Sequence, residues 1–227
     1  MNYLHQFLYG IYPYIALAVF LLGSLARFER EQYTWKSDSS QMLHTGNLRL
    51  GNILFHAGIL GLFFGHLVGL LTPVVVWDTL GVSHGFKQVI AMSAGGAFGG
   101  LCLLGLLILL HRRFTNARIA AVTTTGDRVL LVWILVTLVL GLSTIVESAS
   151  HTDGHMMVLL MNWAQHIVTF RGDAADFILT APFLFKAHLF MGLSLFVIFP
   201  FTRLVHVWSG MASVGYLTRA WQLVRSR

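Results

Sequence analysis

Two histidines lie well inside a stretch of the chain that is long and apolar enough to cross a lipid bilayer. The stretch covers residues 51–72, GNILFHAGILGLFFGHLVGLLT, and carries His56 and His66. A titratable ring at membrane depth is costly, so such a histidine indicates a functional site. An imidazole nitrogen can satisfy its lone pair by coordinating a metal, and haem iron accepts imidazole as an axial ligand. The two histidines therefore suggest two haems, each of which needs a second ligand from another helix.

The other histidine pair, His188 and His206, lies in the last apolar segment. These two are 18 residues apart, which is about five turns and roughly 27 Å along a straight helix. His56 and His66 are ten residues apart, which is roughly 15 Å along the axis and about 80° around it. We expect helix tilt, a kink at Pro200 and the reach of the imidazoles to absorb this difference.

Composition places the chain among integral membrane proteins. Its 227 residues are 56% hydrophobic and 11% charged, with a mean hydropathy of +0.72. The net charge of +6 is typical of a membrane protein with basic cytoplasmic loops, so we do not expect a nucleic acid partner. The single cysteine, Cys102, is expected to be a small buried apolar residue. The chain has no Cys-x-x-Cys-His motif, so any haem is held non-covalently.

Five segments of roughly 20 residues qualify as transmembrane helices. We predict an all-α integral membrane protein with one domain over residues 1–227. The predicted spans are about 7–28, 51–72, 88–110, 128–146 and 182–208, and a short interfacial helix is predicted at about 154–170. The first span has no positively charged residues before it, so we expect a retained helix and not a cleaved signal peptide. We expect His151, His155 and His166 to be solvated loop residues.

The distribution of Lys and Arg over the loops predicts the orientation in the membrane. The first and third loops and the C-terminal tail are rich in these residues, whereas the second loop has only Lys87 at its margin. We therefore expect the N-terminus outside and the C-terminus in the cytoplasm. Antiparallel helices then pair His66 with His188 near the outer face and His56 with His206 near the inner face. This arrangement stacks two haems within a helix bundle.

Several further residues are candidates for parts of these sites. Small residues recur every three or four positions on the second span: Gly58, Gly61, Gly65 and Gly69. We expect them to let a flat macrocycle approach the helix backbone. Lys87 is either a lysine that extends into the membrane interface or a hydrogen-bond donor to a quinone carbonyl. Three arginines are either partners of haem propionates or ordinary positive-inside residues: Arg112, Arg113 and Arg203.

Six motifs spread over the chain are similar to those of one known family. They are IYPYIALAVFLLGS (11–24), QYTWKSDSSQML (32–43), NILFHAGILGLFFGHLVGLLTP (52–73), TTTG (123–126), FPFTRLVHVWS (199–209) and YLTRAWQLVR (216–225). With them the chain closely resembles the gamma subunit, the membrane cytochrome b, of respiratory nitrate reductases. The resemblance implies a five-helix protein with two b-type haems. It implies His56 and His206 as ligands of the inner haem, and His66 and His188 as ligands of the outer haem.

The resemblance also implies a reaction and its partners. A quinol, either menaquinol or ubiquinol, would be oxidised near the outer haem, with Gly65, His66 and Lys87 at the quinol site. The electrons would pass inward to an iron–sulfur beta subunit and a molybdenum-containing alpha subunit at the cytoplasmic face, where nitrate is reduced. The implied location is the bacterial cytoplasmic membrane, with this chain as a multi-pass subunit that has no nitrate site of its own.

Two other functions stay open at this point. The cytochrome b subunit of another membrane oxidoreductase, of the formate or sulfur type, would also carry paired membrane histidines. A channel or transporter that relays protons through buried histidines would bind no haem. Paired histidines at matched depths on two helices favour a cytochrome b over a proton relay.

Overall fold

The computed structural model describes residues 3–31, 35 and 47–210. In this part of the chain the secondary structure is helical, without a strand. The helices in chain order are α1 (Tyr3–Arg30), α2 (Leu48–Leu71), α3 (Val74–Thr79), α4 (His84–Thr115), α5 (Ala117–Val122), α6 (Thr125–Ala149), α7 (His155–Val168) and α8 (Phe183–Ile198). Helices α1, α2, α4 and α6 and the segment Phe183–Phe201 are long and apolar enough to cross a membrane.

The first four predicted spans and the predicted helix at 154–170 are confirmed as helices. Their ends differ from the predicted ends by a few residues, and α1 contains a π-helical turn at Phe7–Ile11. The short helices α3 and α5 were not predicted. Most of the first loop and the C-terminal tail, whose positive charges underlie the predicted orientation, lie outside the described residues.

The last predicted span, at about 182–208 with a kink at Pro200, is interrupted and not merely kinked. Helix α8 ends at Ile198, and the residue between the two following turns is extended. The two 3₁₀ turns are Phe199–Phe201 and Arg203–Val205. Pro200 has no N–H to donate and its ring clashes with a continuing helix, which accounts for the break. His206 therefore lies beyond the break and does not share a straight helix with His188.

Helices α2 and α4 pack through glycines that bring their backbones into contact. A Cβ on Gly105 would collide with the backbone nitrogen of Phe55, and a Cβ on Gly58 would collide with the backbone of Cys102. A Cβ on Gly61 would collide with the side-chain ring of Phe98 in α4. The expectation that Gly58 and Gly61 border a macrocycle is therefore wrong, because α4 occupies that space. Cys102 is fully buried at this contact.

The bundle has an amino end, where α1 begins and α2 ends, and a carboxyl end, where α1 ends and α2 begins. Helix α7 and the turn Ala174–Ile178 lie at the amino end. The indole N–H of Trp163 donates to the carbonyl of Tyr9 at 2.9 Å. The side-chain amide of Gln88, in α4, donates to the carbonyl of His151 at 2.8 Å. These bonds fix the loop segments to the long apolar helices at this end.

Candidate functional site

The structure brings the four histidines of the apolar segments together in two pairs. The ring centroids of His66 and His188 are 6.1 Å apart, and those of His56 and His206 are 6.3 Å apart. A histidine nitrogen binds a metal at about 2 Å and the ring centroid lies about 1 Å further away, so rings on opposite sides of one ion have centroids roughly 6 Å apart. Both observed separations match this spacing. The same two pairs follow from the loop charges.

Each of the four imidazoles donates its Nδ1–H to a backbone carbonyl. The acceptors are Asn52 for His56 (2.9 Å), Leu62 for His66 (2.7 Å), Thr137 for His188 (3.0 Å) and Arg203 for His206 (2.6 Å). Because a carbonyl oxygen can only accept, Nδ1 carries the proton and Nε2 keeps its lone pair. Histidines that bind metals usually donate their other N–H in this way. The rings are therefore in the tautomer that can hold a haem iron through Nε2.

The position of His188 depends on Gly141 in α6, a residue for which no role was predicted. His188 reaches from α8 to the carbonyl of Thr137 in α6. A Cβ on Gly141 would lie 2.7 Å from Cε1 of this imidazole. The absence of a side chain at Gly141 therefore makes room for the ring between the two helices. The sequence feature that could have indicated this space is the position of Gly141 among the bulky aliphatic residues of the fourth predicted span.

Gly65 lies beside His66 on the exposed face of α2. A Cβ on Gly65 or Gly69 would meet no atom within 4 Å. These two positions differ from Gly58 and Gly61, which pack against α4. A flat ligand can therefore approach the backbone of α2 on this side at the amino end of the bundle.

Lys87 is buried, with only 5% of its surface exposed. Its Nζ donates to the carbonyl of Gly69 at 3.0 Å and contacts the sulfur of Met161 at 2.7 Å. The same ammonium lies 4.5 Å from the ring centroid of Trp77. A lysine that extends into the interface would expose its ammonium, so this interpretation does not fit. The side chain instead lies against the end of α2, one turn beyond Gly65 and His66.

A buried ion-pair cluster at the carboxyl end was not predicted from the sequence. The carboxylate of Asp127 accepts from Nε of Arg203 at 2.7 Å and from Arg113 at 3.3 Å. Asp127 also completes the capping box of α6 with Thr124. Two of the three arginines considered as propionate partners therefore have a carboxylate partner within the protein. The third, Arg112, is in the last turn of α4 and is 8% exposed.

The loop histidines at the amino end do not converge on a metal site. In the described ranges, no group of three or more His, Cys, Asp or Glu side chains is placed to hold a metal ion. Nδ1 of His166 lies 2.7 Å from the carboxylate of Asp173, and this hydrogen bond holds the pKa of Asp173 below its usual value. His151 bonds through Nδ1 to the hydroxyl of Ser150 at 2.9 Å.

Replacing Asp127 by Asn should destabilise the protein, because Arg113 and Arg203 would keep their charges and lose their shared partner. Removal of one member of a buried ion pair costs about 3–5 kcal/mol, and we expect about 3 kcal/mol because the cluster is partly accessible. Thermal unfolding of the purified protein in detergent measures this loss.

Two further variants separate the ion pair from the helix cap. Asp127→Ala also removes the bond to Thr124, so it should cost about 1 kcal/mol more than Asp127→Asn. Asp176→Asn removes an exposed carboxylate and serves as the control. A melting temperature of Asp127→Asn equal to that of the control would contradict a stabilising role of the cluster.

Comparison with known proteins places this chain in a family. The family model described as nitrate reductase gamma subunit matches residues 5–227. The chain is 48% identical to the respiratory nitrate reductase 1 gamma chain and 49% identical to the respiratory nitrate reductase 2 gamma chain of Escherichia coli (strain K12). Each alignment covers 100% of this chain, and 100% and 99% of those proteins. The chain is also 34% identical to the nitrate reductase gamma chain of Bacillus subtilis (strain 168), with 98% of each protein covered. The chain thus belongs to the nitrate reductase gamma subunit family.

Proposed function

We propose that this protein is the membrane dihaem cytochrome b subunit of a respiratory nitrate reductase. The observation that carries the proposal is the two facing histidine pairs, with ring centroids 6.1 and 6.3 Å apart and every Nδ1 bound to a carbonyl. Family membership favours nitrate reduction over the formate and sulfur types of oxidoreductase. A proton relay does not require the spacing of two ligands around one ion.

In this proposal His66 and His188 hold one haem iron, and His56 and His206 hold the other. Bound haem supplies one-electron transfer between the quinol and the partner subunits. The protein fixes each ring through its Nδ1–H and keeps Nε2 unprotonated as the ligand. The candidates for contacts with the propionates at the carboxyl end are Arg112, Arg113 and Arg203.

The quinol, menaquinol or ubiquinol, binds at the amino end beside His66. Gly65 lets the ring approach the backbone of α2, and Lys87 donates a hydrogen bond from its ammonium to a quinol oxygen. Oxidation of one quinol releases two electrons and two protons. Lys87 is a favourable donor because a charged N–H forms a stronger hydrogen bond than a neutral one.

The orientation follows from the loop charges. The amino end, with Lys87 as the single cation of the second loop, faces the outside of the bacterial cytoplasmic membrane. The carboxyl end, with its arginines, faces the cytoplasm and meets an iron–sulfur beta subunit, which is followed by a molybdenum-containing alpha subunit. Protons then leave outward while electrons move inward, so quinol oxidation generates a membrane potential.

The haem proposal predicts two low-spin b-type haems per polypeptide in a reduced-minus-oxidised visible spectrum. His188→Tyr should leave one haem, because the ring opposite His66 loses its coordinating nitrogen. His206→Tyr should leave the other haem. The control His155→Tyr changes an exposed histidine of α7 and should retain both haems. Two haems in His188→Tyr would refute the assignment, and a wild-type protein without haem would favour the proton relay.

The quinol site predicts that Lys87→Ala weakens quinol binding while both haem spectra stay unchanged. Loss of a hydrogen bond from a charged group costs about 1.5–3 kcal/mol, so the KM for quinol should rise roughly tenfold or more. Lys186→Ala is the control, since Lys186 bonds the carbonyl of Leu179 at 2.7 Å at the same end of the bundle. Steady-state rates at varied quinol concentration measure the change. A KM equal to that of the control would remove Lys87 from the site.

Gly141→Ala should weaken the haem held by His188 and spare the other haem. The new methyl group would displace the imidazole from its place against α6, and changes in groups that orient a metal ligand lower metal affinity by about 10–100-fold. Haem content per polypeptide measures the effect. Gly95→Ala is the control, because its Cβ would make only an ordinary contact of 3.6 Å with Ile145. Equal haem content in both variants would contradict the role of Gly141.

A further inference from the structure

One face of α1 packs against the break that follows α8. Four residues at helical spacing form this face: Phe20, Gly23, Ser24 and Arg27. A Cβ on Gly23 would lie 2.8 Å from Cγ of Pro200, so the two backbones approach closely here. The hydroxyl of Ser24 accepts from the indole N–H of Trp208 at 3.3 Å. The face therefore contacts the chain on both sides of His206.

Arg27 supplies the polar part of this contact. Its guanidinium donates to the carbonyl oxygens of Pro200 and Thr202 at 2.7 and 2.8 Å. Carbonyl groups at the end of a helix lack the amide partners that a continuing helix would provide. An unsatisfied carbonyl is costly where water is scarce, and a charged donor forms a strong bond to it. Arg27 thus fixes the course of the chain directly before His206.

Helix α6 holds the following turn, Arg203–Val205. Asp127 accepts from Nε of Arg203 at 2.7 Å, and the carbonyl of Arg203 accepts the Nδ1–H of His206 at 2.6 Å. The segment from Pro200 to Arg203 therefore lies between Arg27 on one side and Asp127 on the other. Its position sets the imidazole of His206 at 6.3 Å from that of His56, with 74° between the ring planes.

We propose that Arg27 is a positioning residue for His206. Arg27 acts through the backbone of the broken helix and so sets the angle between the imidazoles of His206 and His56. This inference rests on the proposed function, in which these two rings hold one haem iron. From the distribution of positive charge over the loops, Arg27 would be only one of the residues that indicate the orientation in the membrane. In the structure, Arg27 donates to two specific carbonyl groups, and the second of them belongs to Thr202, four residues before His206.

Electron paramagnetic resonance of the oxidised complex in membranes tests this role. The signal of a low-spin ferric haem depends on the angle between its two axial imidazole planes, which is 74° for His56 and His206 and 44° for His66 and His188. Arg27→Gln should shift the signal of the first haem and weaken its retention about tenfold. The signal of the haem between His66 and His188 should stay unchanged, which would show that the protein is folded.

Two further variants complete the test. Arg27→Lys keeps the charge but has a shorter, non-planar donor, so it should shift the same signal in the same direction by less. Arg30→Gln changes an exposed arginine in the same last turn of α1 and should leave both signals at their wild-type positions. If Arg27→Gln does not assemble, the shift in Arg27→Lys decides.

Four outcomes would overturn the inference. If the wild-type protein has two haems and the signals of the Arg27 variants are unchanged, Arg27 has no positioning role, and the proposed function stays intact. A changed midpoint potential without a changed signal would show that Arg27 acts only through its charge. Equal shifts of both haem signals would show general destabilisation. A wild-type protein without two haems would overturn the proposed function and this inference together.

Discussion

A neutral imidazole has one N–H and one lone pair, and inside a bilayer water satisfies neither. The four membrane histidines meet the first half of this requirement through backbone carbonyls, at 2.6–3.0 Å from Nδ1. These bonds also decide the tautomer, since they leave the lone pair on Nε2. Under the proposed function, iron between the facing rings meets the second half. For His188 and His206 the supply of this carbonyl depends on how neighbouring segments pack.

The two sides of the bundle supply the carbonyls differently. His56 and His66 bond to carbonyls four residues earlier in their own helix, which any α-helix provides. His188 borrows a carbonyl from α6, and Gly141 leaves space for its ring. His206 bonds to a carbonyl of a 3₁₀ turn that α6 contacts directly and that follows the residues bound by α1. In each pair, the orientation of the histidine on α2 is therefore fixed by its own helix. The orientation of the other histidine depends on neighbouring segments.

The charged groups inside the bundle lie near its two ends. At the carboxyl end, Asp127 joins Arg113 and Arg203, so that each charge has an opposite partner. At the amino end, the ammonium of Lys87 has a carbonyl, a sulfur atom and an aromatic ring around it. Among the described residues, the groups around this ammonium are neutral and leave its charge uncompensated, whereas Arg113 and Arg203 at the carboxyl end share a carboxylate. This difference supports quinol binding at the amino end.

Residue type and hydropathy alone were enough to predict the helices and the four histidines, because length, apolar character and the cost of a buried ring are local properties. Pro200 also indicated a kink in the last helix, but the sequence did not show that the helix breaks there, because the contacts of the broken segment come from α1 and α6. The sequence did not show that Gly141 makes room for His188, that Asp127 binds Arg203 or that Arg27 binds the turn before His206. Each of them acts on a residue more than 40 positions away. Only the tertiary structure brings those pairs together, because helix packing, and not local pattern, determines which side chains of distant helices meet.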